Sequence, residues 1–472
     1  MKVPINITGG SYEHKSRPLT KQFTRNWWPQ IQATKKARSE YILKSFYGLK
    51  VFKEQAGSLD RGMLVNQERL YKVTDTTLYE VNSIGTHTAL GTITGSNRCI
   101  MWALGSQIII VNGNGLVYVW DGTNLTQNTN INLGTPRGVT VLNNQAIYDA
   151  GTGQGFDVSD VGLPASIDGL NNAQAESDSD GLLIPYAWRE TLYLMGRKTI
   201  EPWWNSGQGN PPFDKIQGAV LKMGLGAIHS VADTPDLMFF LGSDKQFHSL
   251  TPGTSAVDTV ISNPAMAKQI QKYLVTGDCI GWTMELEGQW FYVANFPTQD
   301  ITWVYPVGGE FFQVGTGATG RWRANSYANV FDKYLVAEYN SGNIYELDAE
   351  TYTDAGQAII RTRDTANIHS GLVGEDNQEF EINGLEVVVE TGIGLLSGQG
   401  QDPRLMVSVS RDGGKTFGTE RFLRIGTLGE RVTVKTGPFG RFRTSGCVMR
   451  FRASDPVDFN IYNINADIEI CI

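Results

Sequence analysis

The chain has 472 residues, 41% of them hydrophobic and 19% charged, which is the balance of a globular protein with a sizeable core. Its formal net charge of −8 argues against general nucleic-acid binding. With 53 glycines and 10% aromatic residues, the composition fits many short strands joined by turns.

The N-terminal MKVPINITGG lacks the apolar core of a secretory leader, and no apolar run is long enough to span a bilayer, so synthesis in a cytosol is expected. Residues 1–50 read as a basic arm, with ten Lys/Arg against two Glu. Within it stand Trp27 and Trp28, followed by Pro29. Adjacent tryptophans on a basic arm do not stay in water, so both are candidate interface anchors. They dock either on the last repeat of the chain itself or on an adjacent subunit.

From residue 51 to 358 a hairpin unit recurs, beginning near Arg69, Gln107, Gln145, Thr191, Asp236, Gln289 and Lys333. Each unit is an apolar strand, a polar or glycine turn and a second strand, and a further strand precedes most of them. A repeat of about 40–50 residues with three or four strands is the signature of a propeller blade. The chain therefore reads as all-β, with a β-propeller of seven blades, or six if one hairpin belongs to a neighbouring domain. Within it, 151–181 is rich in Gly, Asn, Ser and Asp and reads as a long exposed loop. Met266, Ile270 and Leu274, four residues apart, predict a helix over Pro264–Val275.

The pattern changes near residue 359. Segments such as FEINGLEVVVETG and FNIYNINADIEICI are longer alternating strands, so 359–472 reads as a separate β-sandwich-like domain.

That domain holds SRDGGKTF, Ser410 to Phe417. Its GGKT resembles the end of a phosphate-binding loop, but the required first glycine falls at Val409 and no apolar helix follows. The alternative is an Asp box, matched by Ser410, Asp412, Gly414, Thr416 and Phe417. In such a hairpin, Ser and Asp oxygens bond backbone N–H groups of the turn, glycines supply unusual dihedrals, and the Phe is expected to bury beneath it. It staples a hairpin and does no catalysis. A sialidase carries several such boxes with an arginine triad and a Tyr–Glu pair, and only one box is visible here, outside the repeat.

Residues 404–452 are again basic, with eleven Lys/Arg against Asp412, Glu420 and Glu430. In GRFRTSG and MRFRASD, Arg441 and Arg443 flank Phe442, and Arg450 and Arg452 flank Phe451. Period-two geometry sends the arginines to a surface and the aromatics to the core. The plain reading is a charged sheet face paired with acidic loops. The sharper one is a surface for DNA phosphates or a partner's carboxylates.

No catalytic, cofactor or metal site is expected. His14, His87, His229, His248 and His369 lie too far apart for metal spacing. Asp178 and Asp180 lack the distal bidentate Glu of a calcium loop. Asp348, Glu350 and Asp354 read as a solvated turn at a blade edge. Cys99, Cys279, Cys447 and Cys471 read as reduced thiols.

Three segments together resemble the packaged-DNA stabilisation proteins of short-tailed bacteriophages, the tail hubs or nozzles, with a close likeness to those of lambda-related phages of enteric bacteria. They are SRPLTKQFTRNWWPQ, IEPWWNSGQGNPPFDKIQGAVLKMGLGAIHSV, and SRDGGKTF with GPFGRFRTSGCVMRFRASDP. The middle one carries W-x-N-x-G, Pro-Phe and then two glycines six apart. The resemblance implies a non-enzymatic virion protein that forms a homo-hexameric ring beneath the dodecameric adaptor of the portal. It further implies an extension of the DNA channel, retention of the packaged genome, and sites for trimeric tailspikes and a tail needle. The competing readings are a receptor-binding or glycan-cleaving phage tail protein and, more weakly, a lone cellular propeller scaffold.

Overall fold

The computed structural model describes residues 1–7, 9, 11–13, 21–31, 41–175, 178–252 and 256–471. His14 and much of the expected basic arm lie outside them.

Between residues 60 and 314, six blades are each built from four consecutive antiparallel strands. They span 60–92, 100–127, 139–174, 182–215, 232–260 and 280–314. A further unit, a six-stranded sheet whose outer two strands are Thr353–Asp354 and Gln357–Ala358, is composite. Strands Ala324–Val330, Lys333–Glu338 and Ile344–Asp348 are completed by Gly48–Lys53, which pairs antiparallel with Ile344–Asp348. Ala324–Val330 packs against Asp60–Asn66 of the first blade, so the ring closes on a strand drawn from the start of the chain. The seven hairpins expected from the sequence are thus six continuous blades and one unit that borrows its fourth strand.

The hairpins form because their turns match strand twist. Gln67-Glu68, Asn143-Asn144, Arg189-Glu190, Glu287-Gly288 and Phe331-Asp332 all have two consecutive positive φ angles. That mirror-image turn keeps two twisted strands in register. Successive units then bury their apolar faces against each other. Leu70 and Val81 of the first blade meet Ala328, Leu335 and Ile344 of the composite unit, and similar clusters fill the other seams.

Two expectations for this region change. The segment 151–181 contains the strands Gly155–Val158 and Asn172–Gln174, because Phe156 and Val158 alternate into the core and are fully buried. The helix runs only over Pro264–Gln271, capped by Asn263 Oδ1 accepting from Met266 N at 2.9 Å. Met266 and Ile270 are buried, but Leu274 lies past its end and is exposed.

The C-terminal sandwich has two sheets. One is built on Phe380–Val389 and Ile461–Ile470, joined by Trp27–Ile31, Tyr41–Ser45, Lys2–Ile5, Val434–Thr436 and Gly440–Phe442. The other orders Lys21–Arg25, Arg361–Asp364, Val448–Ala453, Arg404–Ser410 and Arg421–Arg424. This second sheet is continuous with the sixth blade, because Lys21–Arg25 lies parallel to Phe312–Val314. Residues 1–50, expected as an arm, therefore supply strands to both domains wherever they are described. Their alternating residues, such as Val3 and Ile5, are apolar enough to be buried.

Candidate interaction surfaces

Of the two docking places expected for the tryptophans, an adjacent subunit is excluded by burial, while Trp28 packs on the last repeat of the chain itself. Trp27 and Trp28 are successive residues of one strand, so their side chains leave on opposite faces. Trp27 is 0% exposed in the sandwich core, its Nε1 donating to the Phe459 carbonyl at 2.9 Å. Trp28 is 2% exposed among residues of the sixth blade and the composite unit, edge-on to Phe291 at 5.2 Å. Neither presents area to another subunit.

The Asp box forms a closed turn. Ser410 Oγ accepts from Gly414 N at 2.7 Å and donates to Asp412 Oδ1 at 2.6 Å. Asp412 Oδ1 accepts from the N–H groups of Lys415 and Thr416 at 2.9 and 3.0 Å, and Oδ2 accepts from the Thr416 hydroxyl at 2.6 Å. Gly413 and Gly414 sit at φ 74° and 83°, where a side chain is strained. These bonds hold the Asp412 carboxyl well below the usual carboxylate range, those from Ser410 and Thr416 contributing most. Phe417 is only half-buried. Its ring lies under the Arg450 guanidinium, 3.7 Å from the centroid, rather than in the core.

Arg450 is held from its other side as well. It makes a two-pronged pair with Asp364, Nε to Oδ1 at 2.6 Å and Nη2 to Oδ2 at 2.8 Å, and the Asp364 side chain is fully buried. Arg452 pairs with Glu420 at 2.8 Å. Phe442 and Phe451 both point into the sandwich core. They belong to different sheets, however, so the arginines do not form one surface: Arg450 and Arg452 sit on one sheet, Arg441 on the other.

Arg441 meets Glu379 at 2.7 Å, both well exposed, and such a pair is worth about 0–1 kcal/mol. Arg443 lies just past the end of its strand, exposed and without an ion pair among the described residues. Of the four candidate arginines, Arg441 and Arg443 are the exposed ones.

Sequence reasoning missed two supports. Arg411 crosses from the box to the other sheet, donating to the Phe439 and Arg441 carbonyls and covering the Phe442 ring at 4.2 Å. Asp364 was legible only as a carboxylate at an alternate position of the strand RTRD.

The other titratable residues singled out in the sequence make structural contacts. Among the described residues, no group of three or more His, Cys, Asp or Glu is placed to hold a metal. Asp180 Oδ2 caps the turn at Lys198 and Thr199. Asp348 bonds Glu350 N and the Thr351 hydroxyl within its turn. Asp354, expected in solvent, is buried and meets Arg323 Nε at 2.6 Å, because its short strand packs beside Gly48–Lys53. All four cysteines are free thiols. Burial pushes Cys99 up to about 11 and Cys447 up to about 12, out of reach of nucleophilic use at neutral pH.

The fold and these sites define a β-propeller locked to a β-sandwich. The chain belongs to the phage stabilisation family described as Bacteriophage P22 Gp10: the family's propeller model matches residues 1–352 and its β-sandwich model residues 366–469. No curated protein matches the chain. Several solved propellers resemble it at low identity. A streptogramin B lyase is 10% identical at a TM-score of 0.44, covering 64% of this chain and 98% of its own. The WD40 propeller domain of Doa1 is 11% identical at 0.41, covering 64% and 98%. BamB from Moraxella catarrhalis is 8% identical at 0.38, covering 70% and 98%.

Proposed function

We propose that this chain is a structural, non-enzymatic subunit of the tail hub of a short-tailed phage. Six copies form a ring beneath the dodecameric adaptor of the portal, continue the DNA ejection channel and help retain the packaged genome. Exposed loops offer sites to trimeric tailspikes and the tail needle. The family membership of both domains carries this reading.

The architecture supports it. A ring subunit that transmits internal DNA pressure needs domains that do not hinge, and here one sheet runs from the sixth blade into the sandwich. The net charge of −8 suits a conduit that DNA traverses without sequence-specific binding, because strong phosphate binding impedes ejection. Exposed Arg441 and Arg443 suit docking to acidic protein surfaces.

The test is the mass of the purified chain, alone and mixed with a portal–adaptor complex, by native mass spectrometry. Six copies added per complex are expected. Failure to bind, with the chain instead a stable trimer that cleaves host polysaccharide, would transfer the assignment to a glycan-processing tail protein.

A further inference from the structure

Exposed apolar side chains gather on the rim of the third blade. First strands of successive units pack against one another around the ring axis, so fourth strands lie outermost. Leu170 leads into the fourth strand of the third blade, Asn172–Gln174, and is 76% exposed. Val161 and Leu163, earlier in the same loop, are also exposed. Ile131, 95% exposed, comes from the connection out of the second blade. Its neighbours tie that connection to the loop, the Nδ2 groups of Asn130 and Asn132 donating to the Ile167 carbonyl at 3.2 and 2.9 Å. Loops fastened together in this way hold four large apolar side chains in water, the mark of a contact with another molecule. The patch is also acidic. Asp160 and Asp168 are exposed and make no ion pair among the described residues. Between residues 128 and 175 the one Lys or Arg is Arg137, and it is paired with the buried Asp149.

The sandwich carries the opposite combination. Arg421–Arg424 ends its sheet, paired on one side alone, with Arg404–Ser410. Phe422 on that strand is exposed, as are Leu396 and Leu428 in two loops that meet where Gly429 N donates to the Gly392 carbonyl at 2.9 Å. Arg421 and Arg431 are exposed and make no ion pair among the described residues.

The two patches stand at opposite ends of the molecule. The sandwich joins the ring at the sixth blade, through Lys21–Arg25, and at the seam with the composite unit, through Trp28. The third blade is three units from the sixth in one direction and three from the composite unit in the other. Arg421–Arg424 is in turn the strand of its sheet farthest from the sixth blade. Neither patch suits a copy of itself, because acid would meet acid or base meet base. Each suits the other on a second copy, and a contact between two different patches repeats from copy to copy until its rotation closes a ring. We propose, on the ring reading above, that neighbouring copies join head to tail, the acidic rim of the third blade of one seated on the basic sandwich edge of the next. Ile131 and Leu170 cover Phe422 and Leu428, and Asp160 and Asp168 face Arg421 and Arg431.

Copies bound to the portal–adaptor complex, counted by native mass spectrometry, test this. Asp160→Arg with Asp168→Arg should lower ring occupancy about tenfold or more, since like charges then meet across the contact. Arg421→Glu with Arg431→Glu should do the same, and the fourfold reversal should restore six copies. Circular dichroism checks that each variant is folded. If one is not, hydrogen exchange of the unaltered chain decides: residues 128–133, 160–171 and 420–432 should all exchange more slowly in the ring than in the free chain. Full occupancy by either folded pair of reversals overturns the head-to-tail contact and leaves the ring standing. So does a fourfold variant that restores nothing, or unslowed exchange in any of the three segments. An unaltered chain that adds no ring to the complex overturns the ring reading itself, and this contact with it.

Discussion

Trp27 and Trp28 are bonded neighbours buried in two different domains. Trp27 fills the sandwich core beside Phe459, and Trp28 fills the seam between the sixth blade and the composite unit beside Phe291. One strand therefore acts as a rivet. Trp27→Ala and Trp28→Ala should each cost about 3–5 kcal/mol, as for other buried aromatics. Deleting residues 1–40 should unfold the isolated monomer, because it removes strands from both sandwich sheets as well as this rivet. Circular dichroism of the truncated chain checks this; a folded monomer that fails only to assemble would mean that these strands are dispensable.

The Arg450–Asp364 pair should be the most sensitive ionic contact in the sandwich. Arg450→Ala leaves a fully buried carboxylate without its guanidinium and uncovers Phe417. The expected loss is about 3–5 kcal/mol by chemical denaturation. Arg452→Ala, at a half-exposed pair, should cost far less.

Asp412 gives the box an acid sensitivity of known sign. Its folded-state pKa is depressed, so its contribution is present above the ordinary value of about 3.9 and is lost as pH falls through the folded value. Asp412→Ala should lower the thermal midpoint at neutral pH and flatten its fall in acid. Hydrolytic activity should be absent in both proteins, since every Asp412 contact described closes the turn.

His248 should work in the opposite direction. Burial lowers its pKa, but hydrogen bonds to Asp258 at 2.8 Å and Asp244 at 3.1 Å outweigh this and raise it overall. Its contribution is thus fully present below about pH 6.5 and is lost as pH rises through the folded value. The fifth blade should loosen as pH rises above about 6.5, and His248→Gln should remove that dependence while lowering stability at pH 6. Thermal midpoints across the pH series decide it.

Arg441→Glu with Arg443→Glu should leave the monomer's stability within about 0.5 kcal/mol, as for surface substitutions. Incorporation into particles should fall sharply. Unchanged incorporation would remove these residues from the docking surface.

Much of this architecture is local and was legible in the sequence. Blade repeats, the shift to long alternating strands after residue 359, and the Asp-box turn depend on strand periodicity and on contacts between residues a few positions apart. Residues such as Phe442 and Phe451 declared their inward facing by period two alone. Long-range pairing was not legible. That Gly48–Lys53 would close the ring against Ile344–Asp348, that Lys21–Arg25 would join the sixth blade to the sandwich, and that Asp364 would wait beneath Arg450 are meetings across many intervening residues. A strand's edges carry the same backbone donors and acceptors whatever its sequence, so its side chains announce which face is buried and not which strand lies beside it. Only the packed tertiary structure chose those neighbours, and with them turned two apparent surface anchors into the joint between domains.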